Sequence, residues 1–127
     1  MIDERVQRTC AIYDYYRTHL GDLPGLTFVD EMPYGLHTRW LSVMLVDSDA
    51  FGADREQLRL KMEEHNIESR PVWKPMHCQP VFQEYAAIGG VVAESLFEQG
   101  LCLPSGTALT DDQLGQIVGV IRDMHQA

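Results

Sequence analysis

Long apolar runs are missing from this sequence: no stretch approaches the roughly twenty residues that a membrane-spanning helix needs. The opening MIDERVQRTC carries charges where a signal peptide would have its apolar segment, so a soluble, cytoplasmic, non-exported protein is expected. Cysteine is sparse. Cys10, Cys78 and Cys102 are an odd number at unrelated spacings, without the pattern of a disulfide framework, and reduced thiols are the expectation. Positive charge is in deficit as well. Ten Lys and Arg against nineteen Asp and Glu leave a net charge of -9, which repels phosphate at long range and disfavours nucleic-acid or anionic-membrane partners. A local basic cluster could still grip a single phosphate group. Ser105-Gly106-Thr107 lacks both a P-loop lysine and dinucleotide-type glycine spacing, so it reads as a turn feeding the last helix. Internal repeats, low-complexity tracts and linkers are absent, which leaves one domain over residues 1–127.

What is present patterns into helices and short strands. Asp3 is placed to cap a helix whose Val6, Cys10, Tyr13 and Leu20 fall near helical spacing, and Gly21, Pro24 and Gly25 end it. Tyr13, Tyr15 and Tyr16 crowd this helix. A short apolar run, LTFV from Leu26, precedes a polar loop, and RWLSVMLVD from Arg39 to Asp47 reads as a buried central strand. Asp54 and Gln57 stand at capping-box spacing ahead of Leu58, Met62 and His65, with Asn66 where a left-handed cap is tolerated. NIESRPVW reads as extended because Pro71 drives Arg70 out of helical dihedrals. A short helix over 91–99, a brief LCLPSG strand, and a last helix opened by a Thr110–Gln113 box complete the order. Leu114, Ile117, Val118, Ile121 and Met124 form that helix's stripe. The expected class is α+β, an α/β sandwich with a small sheet of about three strands covered by helices.

The chemistry concentrates in ESRPVWKPMHCQPVF, Glu68 to Phe82, where three prolines stiffen a loop bearing Arg70, Trp73, Lys74, His77 and Gln79. A loop ordered in advance loses less entropy on binding. Arg70 as a planar fork and Lys74 as a point charge suit an anion, Trp73 offers a stacking face, and His77 can exchange a proton near neutral pH. Together they suggest a phosphorylated, ring-containing ligand. A structural reading stands beside this one: Trp73 as core, His77 as a satisfied buried histidine, the cations as solvated groups. His37 and Arg39 are secondary candidates that could reach the same cleft or form a solvated pair. His65 at a helix end needs no chemistry. A metal set of His65, His77 and Cys78 has no recognised ligand spacing, and none is expected.

ESRPVWKPMHCQPVF followed by AESLFEQGLCLPSGTALTDDQ resembles the closing third of the DegT-type sugar aminotransferases, and the likeness spans nearly the whole chain. WKPMH and GLCLPSGT most resemble the branch acting on UDP-4-keto-6-deoxy-N-acetylhexosamines. In RWLSVMLVD, Trp40 matches the point where the family's small-domain strand nears the active site, or serves as a core anchor. The resemblance implies the C-terminal small domain of a homodimeric fold type I enzyme, whose large-domain lysine holds pyridoxal phosphate and whose amino donor is glutamate. It implies no catalytic residue here: Lys61 and Lys74 are the only lysines, and neither lies in the family's lysine motif. Arg70, Trp73, Lys74 and His77 are the implied substrate-binding residues, with His37, Arg39, Trp40 and Gln79 secondary. The isolated chain is then expected to be inactive. A free-standing nucleotide-sugar binding domain and a dimerisation domain are the rival expectations.

Overall fold

The structure, a computed structural model, describes residues 1–126. Helix α1 spans Ile2–Leu20 and buries Ile12, Tyr13, Tyr16 and Leu20, a stripe at helical spacing. It starts one residue before Asp3, so the expected cap is not made: Met1 is the N-cap and makes no side-chain capping hydrogen bond. Asp3 and Glu4 instead lie in the first turn, where their charge complements the helix dipole.

The sheet has four antiparallel strands in the order β1-β2-β4-β3, one more than expected: β1 Leu26–Phe28, β2 Ser42–Val46, β3 Arg70–Pro71 and β4 Gly100–Leu103. Three residues of LTFV form β1 because Leu26, Thr27 and Phe28 lie opposite Val46, Leu45 and Met44. The central strand is shorter than Arg39–Asp47. Arg39 has φ 52, a left-handed turn that no strand accommodates, and Asp47 leaves the strand to cap a short helix. That helix, α2 (Ser48–Phe51), was not anticipated: Asp47 Oδ1 accepts from the amides of Asp49 and Ala50 at 3.0 and 3.3 Å. The expected extended segment shrinks to Arg70–Pro71, an edge position where a proline without an N–H is tolerated.

Helix α3 (Arg55–Glu64) opens on the anticipated box, with the Gln57 amide donating to Asp54 Oδ1 at 2.8 Å and the Asp54 amide donating to Gln57 Oε1 at 2.9 Å. Asn66 is left-handed at φ 57, as expected after this helix. Helix α4 spans Val91–Gln99, and α5 spans Asp111–Gln126 behind a reciprocal Thr110–Gln113 box. Leu114, Ile117, Val118 and Ile121 are buried in the common core of α1, α3, α5 and the sheet. Deep in it, the Tyr16 hydroxyl donates to the Pro104 carbonyl at 2.8 Å, and burial pushes its phenol well above the ordinary range. Helix α4 differs. It buries no side chain, and Val91 and Val92 are 76% and 74% exposed.

The end of α1 is clasped to α5 by a two-pronged pair, Arg122 Nη1 and Nη2 to the Asp22 carboxylate at 2.8 and 2.9 Å. The guanidinium holds the Asp22 carboxyl below its ordinary value of 3.8. A depressed carboxylate contributes stability above its unfolded pKa and loses it as pH falls through its folded value. Acid titration followed by circular dichroism should therefore show the Asp22→Asn variant losing less stability than the wild type below about pH 4. Identical acid limbs would show that the clasp has no thermodynamic weight.

Candidate functional site

The short edge strand β3 leaves open ground beyond β4. A cleft of about 1080 Å³ occupies it, between the end of α3 at His65–Ile67 and the first turns of α5 at Gln113–Ile117. Arg70, Trp73, Lys74 and Trp40 line this cleft together. Four candidates from two separate sequence segments thus converge on one hollow.

Trp40 and Trp73 stack with centroids 6.1 Å apart and planes 26° apart, yet each is 66% exposed. Neither is a core residue, which removes the structural reading of both. Two large rings held together in water cost apolar exposure that a fold alone does not require. Arg39 explains how Trp40 comes to be there. Its guanidinium lies 3.7 Å from the Tyr13 ring centre, and its Nη1 donates to the Val29 carbonyl at 2.8 Å. With Arg39 turned inward, the left-handed step places Trp40 at the surface. Arg39 is therefore buried and structural, neither a cleft residue nor half of a solvated pair. His37 is likewise absorbed locally, its Nδ1 accepting from the Arg39 amide at 2.8 Å.

Electrostatically the two loop cations differ. Arg70 Nη2 and Nε hold Glu68 Oε1 at 2.6 and 2.8 Å, both side chains being exposed, whereas Lys74 makes no ion pair among the described residues. Lys74 is thus the cation with an uncommitted charge at the cleft. Ser69 lies on the cleft wall with its Oγ buried and without a partner among the described residues. Ser105 is satisfied structurally, accepting from the Ser42 amide at 2.7 Å and donating to the Leu103 carbonyl at 2.8 Å.

His77 and Gln79 are not brought into the cleft. The loop runs as two tight turns, Met76–Cys78 and Pro80–Phe82, with Gln79 ending the first and starting the second. His77 Nε2 meets Glu94 Oε1 at 2.7 Å, on the first turn of α4. Glu94 was missed in the sequence because an acidic residue in a first turn already has a sufficient reason there. The ring also rests against Gly90: a Cβ at that glycine would lie 2.6 Å from the imidazole Cε1.

The family model of the DegT/DnrJ/EryC1/StrS aminotransferases matches residues 1–122. The chain belongs to that family. It is 38% identical over 125 residues to EpsN of Bacillus subtilis (strain 168), described as a pyridoxal phosphate-dependent aminotransferase, with 95% of this chain and 31% of that protein aligned. It is 29% identical over 123 residues to the GDP-perosamine synthase of Vibrio cholerae, covering 96% of this chain and 33% of that one. The fold superposes on DesI, solved in the presence of its TDP-sugar product, with a TM-score of 0.86 at 24% identity, over 94% of this chain and 31% of that one. The chain spans about a third of the length of the curated relatives it matches. DegT-type enzymes are pyridoxal phosphate-dependent, and the lysines present here do not fit the Schiff-base role. Lys61 Nζ holds Glu64 Oε2 at 2.8 Å with nearly half of its side chain exposed, and Lys74 stands exposed in the loop. Neither offers the water-excluded setting that the imine needs. No step of amino transfer is therefore assigned to these residues.

Proposed function

We propose that this chain is the C-terminal small domain of an aminotransferase that moves an amino group from glutamate to C4 of a UDP-4-keto-6-deoxy-N-acetylhexosamine, and that its cleft binds the sugar nucleotide. The observation that carries the reading is the stacked Trp40–Trp73 pair with Lys74 and Arg70 beside it. A base or sugar ring stacks on indole, and a diphosphate answers the two cations. In this reading the large domain supplies the lysine and holds pyridoxal phosphate, and the small domain orients the substrate. The GDP-perosamine synthase relative supports a nucleoside diphosphate sugar as the ligand class, and the WKPMH and GLCLPSGT wording is what favours uridine and an N-acetylhexosamine. The exposed apolar side chains of Ile88, Val91 and Val92 support burial against the large domain or a second subunit in a homodimer.

Trp40 and Trp73 are the chain's only tryptophans, so intrinsic emission reports on this cleft directly. Titration of the chain with UDP-N-acetylglucosamine should quench or shift that emission saturably. Glu68→Gln, which releases Arg70 from an exposed pair, should tighten binding up to about fivefold. GDP-mannose titrated in parallel tests the base. Emission unmoved by any nucleotide sugar, in this chain and in an enzyme of full family length, would remove the cleft reading.

A further inference from the structure

We propose that His77, Cys78 and Glu94 form a binding site for a borderline-soft divalent metal ion of the Zn2+ class, pinning the proline-stiffened loop to the first turn of α4. One ligand atom from each residue lies within 4.8 Å of the others, and the His77 and Glu94 atoms are already 2.7 Å apart. Zn2+ binds imidazole, thiolate and carboxylate at about 2.0–2.3 Å, which sets tetrahedral ligand separations near 3.5 Å. The widest pair must therefore close by about an ångström and the hydrogen-bonded His77–Glu94 pair must open by nearly as much, movements within the reach of side-chain torsions.

The adjacency of His77 and Cys78, which argues against a shared ion in an extended chain, has a different meaning here. Neighbouring side chains of a strand point to opposite faces, whereas those of a 3-10 turn diverge by about 120°. Met76–Cys78 is such a turn, closed by the Cys78 amide donating to the Pro75 carbonyl at 3.0 Å and the Gln79 amide to the Met76 carbonyl at 3.0 Å. The third donor is held in place too: the Glu94 amide donates to the Gly90 carbonyl at 2.9 Å, and Gly90 is the residue on which the His77 ring rests. Gly90 has φ 109, so a side chain is disfavoured there on both conformational and steric grounds. Imidazole and thiolate favour Zn2+ and its congeners, and a single carboxylate is too poor in oxygen for Ca2+ or Mg2+.

Binding balances simply. Cys78 releases its thiol proton to solvent, His77 moves its proton from Nε2 to Nδ1 and binds through Nε2, and Glu94 exchanges a hydrogen bond for a metal bond. Thiolate and carboxylate neutralise the two positive charges, and water takes the fourth position because His77 and Glu94 remain 27% and 52% exposed. The ion then closes a covalent loop from residue 78 to residue 94 and restrains the exposed, irregular stretch 83–90 between them. This inference does not depend on the cleft, which His77 does not line.

The experiment uses the reduced chain titrated with Co2+, watching for thiolate-to-cobalt charge-transfer absorption in the near ultraviolet, with Zn2+ added afterwards as competitor. The expected result is one Co2+ per chain, displacement by Zn2+, loss of the band in Cys78→Ser, and affinity reduced at least tenfold in His77→Asn and Glu94→Gln. Amide hydrogen exchange of residues 83–90 should slow when Zn2+ is added to the wild type and not to Cys78→Ser. Cys10→Ser is the control and should bind as the wild type does. No band at all, a band that survives Cys78→Ser, a band lost in Cys10→Ser, or an affinity indifferent to Glu94→Gln would each overturn the proposal.

Discussion

Gly25→Ala should lower the stability of the chain by roughly 2–5 kcal/mol, the sum of left-handed backbone strain and overpacking. Gly25 has φ 80, a conformation in which a Cβ meets its own backbone, and the space is already taken. A Cβ there would lie 2.5 Å from the Phe51 amide nitrogen and 2.8 Å from both the Asp47 carbonyl oxygen and the Phe51 Cβ. Phe51 is 2% exposed, and the Gly25 carbonyl accepts from the Asp47 amide at 2.8 Å, so α2 is packed onto the turn that feeds β1. Backbone on both sides cannot yield as a flexible side-chain tip would. Gly52→Ala supplies the internal comparison. Its φ is 93 but nothing lies within 4 Å of the added methyl, so it should lose only the strain, about 1–2 kcal/mol. Urea unfolding of the two variants beside the wild type, with equal slopes, measures the difference. Equal losses would show that the close approach at Gly25 contributes nothing.

How much of this could be read in the residues depended on whether the cause was local. Both capping boxes, at Asp54–Gln57 and Thr110–Gln113, are contained in four consecutive residues, and both were anticipated. The α5 stripe was legible for the same reason, since helical period and burial agree over one continuous segment. β1 was not legible as a strand. Three residues have no period of their own, and what makes Leu26–Phe28 a strand is the register against Met44–Val46. Arg39 shows the same limit at the site. Its partners, the Tyr13 ring and the Val29 carbonyl, come from α1 and from the loop after β1, so a residue read as a cleft candidate or half of a solvated pair is instead buried. The candidate site was partly legible because its loop is unusual in composition alone. Its division was not: Trp73 and Lys74 line the cleft and His77, three residues later, turns to Glu94, a split made by the turn that begins at Pro75.

In an enzyme of full family length, Lys74→Ala should weaken UDP-sugar binding roughly tenfold to a hundredfold, the range of one charge-assisted hydrogen bond. Lys74 carries the uncommitted charge, so its whole interaction is available to the diphosphate. Arg70→Ala has two parts. It removes a cation, and it frees the Glu68 carboxylate, which Arg70 Nη2 now holds at 2.6 Å, to repel the same phosphates. Arg70→Ala in a Glu68→Gln background removes the second part, and the difference between the two measurements isolates it. Charge is separated from packing by the choice of ligand. Uridine presents the base without the diphosphate, so both cation variants should leave its affinity unchanged, while Trp73→Ala should weaken uridine and UDP-sugar alike by removing half of the stacked pair. Added salt should narrow the gap between wild type and Lys74→Ala, because an exposed cation is screened. Calorimetric titrations that show uridine and UDP-sugar falling together in the lysine variant would mean that Lys74 shapes the loop and does not meet the phosphates. Unchanged UDP-sugar affinity in all three variants would place the sugar nucleotide outside this cleft.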